Sequence, residues 1–237
     1  MTPPTETAFR ALARSSPWLW DAVSFDLTIR QLSGTTRRYA ALLRRPLSVT
    51  VRDLTSPGRD LGGPAERILR AADPRTVVVP RDETGLVVSR PDAWAVDYDG
   101  LYVENYYWTA LLDPVELADG IWADGPPLTD TPRPAGLAMA SLESTERQGR
   151  TTWWATVTPT PVYDPRCSCC PLLFGEVSQG WERQAGAPRP AGEEPVYASS
   201  YLVGLDRATG ICVSVEHLDG TYVGAGHSLT LHWATLR

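Results

Sequence analysis

Three of the chain's four cysteines stand together as Cys167-x-Cys169-Cys170, and the fourth, Cys212, lies 42 residues beyond Cys170. Thiolates are soft ligands, and a structural zinc site closes a tetrahedron of four such donors or histidines. Cys167, Cys169, Cys170 and Cys212 therefore form one candidate zinc set, with His217 as an alternative fourth ligand. The spacing is tighter than the two to four residues of a usual knuckle, and neighbouring side chains such as Cys169 and Cys170 are expected to diverge. Two other roles stay open. One is a redox or sensing thiol pair, for which only Arg166 stands near enough in sequence to lower a thiol pKa. The other is plain packing of small hydrophobic side chains.

No other residue type assembles a recognisable reaction centre. The three histidines are His217, His227 and His232, and His227-Ser228 lacks the Gly-x-Ser-x-Gly frame of a nucleophile elbow. Gly62-Gly63 and Gly224 to Gly226 have no strand–glycine–helix context and no phosphate-binding lysine. Indeed all 22 cationic residues are Arg, so Schiff-base chemistry on lysine is excluded. The carboxylate pairs Glu143/Glu146 and Asp97/Asp99 read as strand-end and turn residues. No catalytic residue is nominated. A net charge of −6 with no basic stripe argues against nucleic acid as a partner.

Aromatic residues are the other conspicuous resource, with nine Trp and nine Tyr against three Phe. Trp153-Trp154 puts one ring on each face of a strand, so apolar surface is expected on both faces of the sheet. Leu12, Trp18, Trp20, Trp94, Tyr106 and Trp108 are the expected walls of a ligand groove.

The elements that must position these residues read as mainly β. Thr5 caps a helix running to Arg14, with Pro17 as its stop. Period-two alternation marks strands at 23–29, 38–43 and 47–54. Shorter strands are expected at 76–79, 85–89 and 93–96. Asp113 should cap a short helix with Pro114 at its first position. Long strands follow at 137–146 and 151–160, joined at Gln148-Gly149. After the irregular Cys/Pro-rich loop 161–195 come strands at 196–205, 211–218 and 228–236. That makes roughly ten strands, antiparallel because tight turns join them. The 237 residues form a single expected domain. Twist should curl so wide a sheet into an unclosed half-barrel, with short helices covering its concave face.

The order of elements resembles the LolA/LolB and MucB/RseB-like lipoprotein-carrier half-barrels. The matching pieces are Arg45-Pro46 before strand 47–54, Tyr98-Asp99-Gly100, Asp113-Pro114-Val115-Glu116-Leu117, and Asp206 to Gly210. The string Tyr163 to Leu173, YDPRCSCCPLL, further resembles an uncharacterised actinobacterial group of this kind. The resemblance implies an apolar cavity, and a non-catalytic protein that holds an apolar small molecule, lipid or peptide segment. Protein interaction through exposed edges, including a homodimer, and thiol-based metal or redox work are the alternatives. The opening Met1-Thr2-Pro3-Pro4 is polar with no apolar stretch behind it, and no run reaches the length of a membrane span. A cytoplasmic location is expected.

Overall fold

Thr5 starts the first helix as its residue type predicts, its hydroxyl accepting the Ala8 N–H at 3.1 Å. This helix, α1, spans Glu6–Leu19 in the computed structural model, which describes residues 2–45, 48–56, 77–90, 103, 105–119, 135–187 and 194–237. It runs through Pro17 rather than stopping before it. Proline in a helix costs about 3 kcal/mol. Burial of Trp18 and Trp20, each worth a comparable amount, holds the last turn down. Ser15 and Ser16 tie that turn to its surroundings through Ala11 O and Leu112 O, both at 2.6 Å.

Eight antiparallel strands follow the alternation seen in the sequence. The first meander is β1 (Trp20–Arg30), β2 (Thr36–Arg44) and β3 (Ser48–Asp53). The second is β4 (Leu137–Arg147), β5 (Arg150–Pro159), β6 (Tyr201–Asp206), β7 (Cys212–His217) and β8 (Gly226–Leu236). The sheet order is β3-β2-β1-β8-β7-β6-β5-β4. The last strand therefore docks on the first, with Phe25 opposite Leu231 and Leu27 opposite Leu229. The sheet stays unclosed and curved, with β3 and β4 as its edges. Gln148 and Gly149 both adopt positive φ, the signature of a two-residue hairpin whose twist matches its strands. A bulge between Ala140 and Glu143, with Ser141 at φ 50°, interrupts edge strand β4.

The helices lie against the sheet, and one apolar cluster joins them to it. Phe9 and Leu12 of α1 and Trp108 and Leu111 of α2 (Tyr106–Leu112) pack with Phe25, Leu27, Val203 and Leu229. Among the described residues no helix is long and apolar enough to cross a membrane.

Two further expectations change, and a third lies outside the described residues. Residues 77–89 form a loop with one bridge, Arg81 to Val87, because Val79 and Val87 are used to cover Trp18 rather than to extend the sheet. The strand expected at 93–96 lies outside the described residues. The irregular 161–195 loop contains a helix, α3 (Glu176–Gln184), whose polar composition hid it.

The Asp206–Gly210 turn docks on α1. Asp206 accepts from the Thr209 N–H and hydroxyl and pairs with Arg150 at 2.7 Å. Gly210 has φ +69°, and an added Cβ would sit 2.7 Å from the Leu12 carbonyl oxygen. Gly210→Ala should therefore lower stability by about 3 kcal/mol, read from urea unfolding. A change under about 0.5 kcal/mol would contradict this packing.

Candidate functional site

Two acidic residues of the Asp113-Pro-Val-Glu116 segment organise the loop that carries the cysteines. Asp113 does not start the helix expected after it but closes α2, its N–H donating to Thr109 O at 2.8 Å. Pro114 occupies the cap position of a single 3-10 turn, Val115–Leu117, without any side-chain cap bond. The Asp113 carboxylate instead bonds Arg90, and Arg166 at 2.9 Å, all three side chains being at most 4% exposed. Glu116, also buried, turns toward the next loop. Its Oε1 accepts the Tyr163 hydroxyl at 2.7 Å and the Leu172 N–H at 2.8 Å, and its Oε2 accepts the Arg166 N–H at 2.9 Å. Burial raises the Glu116 pKa, against the pull of these three donors and of the Arg166 charge. Two arginines thus face two carboxylates in a dry site, the arrangement in which buried charge is tolerated.

Held between those anchors, residues 167–170 turn back on themselves, with the Cys170 N–H donating to the Cys167 carbonyl at 3.3 Å. The turn gathers the three thiols. Cys167 Sγ lies 2.7 Å from Cys169 Sγ, which lies 3.7 Å from Cys170 Sγ, and all three fall within 4.8 Å of one another. Cys169 and Cys170 therefore converge, contrary to the expectation for sequence neighbours. Hydrogen bonds from the Cys170 thiol, the Cys169 thiol and the N–H groups of both residues hold Cys167 as a thiolate, lowering its pKa to about 5 against the effect of burial. The same thiolate raises Cys170, and burial raises Cys169. Ser168 bonds Glu182 of α3, which ties the turn from its other side.

Beside the thiols lies a pocket of about 280 Å³. Ile29 to Leu32, Arg37 and Tyr39 of the β1–β2 hairpin form one wall, and Asn105, Tyr107 and Trp108 of the α2 start another. Cys169 to Leu172, Phe174, His217 and Gly226 complete it. Trp108 stands edge-on to Tyr39 with ring centroids 5.2 Å apart. His217 is 2% exposed, and its Nδ1 is buried without a hydrogen-bond partner among the described residues. Deeper in, His227 Nε2 lies 2.9 Å from the Cys212 carbonyl, so it carries the proton. Its Nδ1 consequently accepts from the Tyr107 hydroxyl at 2.7 Å. Desolvation lowers both histidines to about 4, partly offset by Asp219 at His217 and by the Cys212 carbonyl at His227. Arg147 and Arg30 lower His227 further.

The proposed walls fare unevenly. Trp108 lines the pocket. Leu12 and Trp20 have no exposure and belong to the core, because α1 lies along the sheet and fills the hollow it was expected to roof. Trp18 is sealed against Val79 and Val87. Tyr106 is half-buried away from this pocket, and Trp94 lies outside the described residues. Cys212 does not join the other cysteines. Its thiol, 0% exposed on β7, reaches the Ser214 carbonyl at 3.5 Å. Sequence reasoning named Asp113, Glu116 and Arg166 in other roles, and missed Arg90 and the contacts among the four. The only available signal was the unusual density of charge beside Pro114 and Pro165. Compared with known proteins, the chain matches no family model, no curated protein and no solved structure.

Two outcomes follow from this geometry. Glu116→Ala strands two N–H groups and the Tyr163 hydroxyl, so it should cost about 3 kcal/mol. It should also loosen the turn. Alkylation of Cys167 by iodoacetamide, located by peptide mass, should titrate near pH 5 in the parent and move toward the ordinary thiol range in Glu116→Ala. Unchanged titration in that variant would separate the thiols from the anchor. The second concerns acid. A histidine with a depressed folded pKa contributes fully above its unfolded value of about 6.5 and loses that contribution as pH falls toward 4. Chemical stability should drop by a few kcal/mol over that interval, and by less in a His217→Asn/His227→Gln double variant.

Proposed function

We propose that this is a non-catalytic binding protein that takes one small apolar, planar molecule into the pocket beside the cysteine turn. The observation carrying the proposal is the His217 Nδ1, without a hydrogen-bond partner among the described residues, in a wall that sets Tyr39, Tyr107, Trp108 and Phe174 beside Arg30, Gln31, Arg37 and Asn105. A buried imidazole nitrogen without a partner costs free energy unless a ligand supplies the missing hydrogen bond. Binding sites commonly combine an apolar lining with a few fixed polar groups. The cargo is smaller than that of the lipoprotein carriers the sequence resembles, since α1 and α2 occupy much of the concave face. A volume near 280 Å³ stands at the lower end of small-molecule pockets.

A thiol-held zinc ion is a second reading, and one observation favours it. Sulfurs sharing a zinc at about 2.3 Å each stand within about 4.6 Å of one another. The Cys167–Cys169 and Cys169–Cys170 separations here, 2.7 and 3.7 Å, fall inside that span.

Native mass spectrometry of protein from its own host should find a small organic adduct. Leu32→Trp, placed on the pocket wall at the partly exposed hairpin, should abolish the adduct while leaving the unfolding midpoint unchanged. Retention of the adduct in that variant would put the ligand elsewhere.

A further inference from the structure

We infer that Cys167, Cys169 and Cys170 form a three-thiolate site for a soft cation that keeps its fourth coordination position open toward the pocket, so that cation and pocket ligand share one composite site. The inference rests on the thiol-metal reading and extends it. All three donors are sulfur, which selects zinc or a monovalent copper over magnesium or calcium. The 3.7 Å between Cys169 and Cys170 matches about 3.8 Å for two sulfurs on one tetrahedral zinc, and the Cys167–Cys169 pair at 2.7 Å would open by about 1 Å to share the same cation.

The fourth donor is then decided by elimination. Among the described residues no histidine, carboxylate or further cysteine joins the group of three sulfurs; the chain's remaining thiol and imidazole donors are Cys212, His217, His227 and His232. Cys212 and His227 are committed inside the sheet, where the Cys212 carbonyl meets His227 Nε2 and the Cys212 thiol meets the Ser214 carbonyl. His232 faces Asp26 at 3.3 Å on β8. His217 lines the same pocket but lies outside the group. Closed structural sites use four protein ligands, whereas sites with three keep a position for an exogenous one.

The direction of that position comes from the pocket itself. Cys169 and Cys170 belong to both the sulfur trio and the pocket lining. A ligand there would share the pocket with the cation, His217, Tyr107 and Trp108. The chemical class is therefore a small molecule carrying a nitrogen or sulfur donor for the cation and a separate hydrogen-bonding group for His217. The Arg90–Asp113–Arg166 and Glu116 contacts fix the turn before any cation arrives, so binding need not order the loop.

Cobalt(II) reports both number and openness of thiolate sites. Reduced protein titrated anaerobically with cobalt(II) should take up one ion with thiolate-to-metal charge-transfer absorption. That absorption should be lost in the Cys167→Ser/Cys169→Ser/Cys170→Ser variant and kept in Cys212→Ser. Added imidazole should shift the d–d bands of the parent, and Leu32→Trp should abolish the shift while keeping the charge-transfer absorption. Cobalt bound through thiolates but indifferent to imidazole would overturn the open position alone. Loss of the absorption in Cys212→Ser would also overturn it, by naming the fourth ligand. Absence of any thiolate-bound cobalt would overturn the metal reading itself.

Discussion

The structure turns on a dry ionic knot that links three separate loops. Asp113 and Glu116 come from one short turn, Arg90 from the loop before α2, and Arg166 from the loop after β5. None of these charges is stable alone in an apolar interior, because removal from water costs each several kcal/mol. Together they balance, and each carboxylate also accepts hydrogen bonds. The knot stabilises the fold less than its charges suggest, since desolvation offsets much of the attraction. Its effect is geometric. It forces the 163–173 segment onto the end of the sheet in one conformation, and the cysteines follow.

That constraint explains why a segment with little regular structure is well placed. Tyr163, Leu172 and Leu173 are buried around Glu116, and the thiols between them remain partly exposed. The turn is clamped at both ends and again through Ser168 to Glu182. A rigid support with accessible sulfurs is what a binding site requires. The Tyr107–His227–Cys212 chain supports the neighbouring wall in the same way, using one hydroxyl, one imidazole and one backbone carbonyl.

The hollow of the sheet is used differently from the plan its strands suggested. A curved sheet exposes apolar surface on its inner side, and something must cover it. Here α1 packs into the core through Phe9, Leu12 and Ala13, and α2 adds Trp108 and Leu111. What is left open is the end where the β1–β2 hairpin, the α2 start and the cysteine turn meet. Residues that looked like cavity walls, Leu12 and Trp20, are instead the filling.

Local pattern was enough for the eight sheet strands, though not for the 77–89 loop, and for the helix start at Thr5, because alternation and capping depend on neighbours in sequence. It was enough too for the hairpin at Gln148-Gly149 and for the antiparallel, unclosed sheet. The docking of β8 on β1 and the passage of α1 through Pro17 lie beyond such reasoning. They depend on which apolar surfaces meet across more than 200 residues. The same holds for the site. The cysteine string announced itself, yet whether Cys212 joins it, and whether Glu116 folds the loop around itself, is decided by contacts between segments about 50 residues apart. Residue types carry the chemistry that is available; packing alone determines which of those groups share a space.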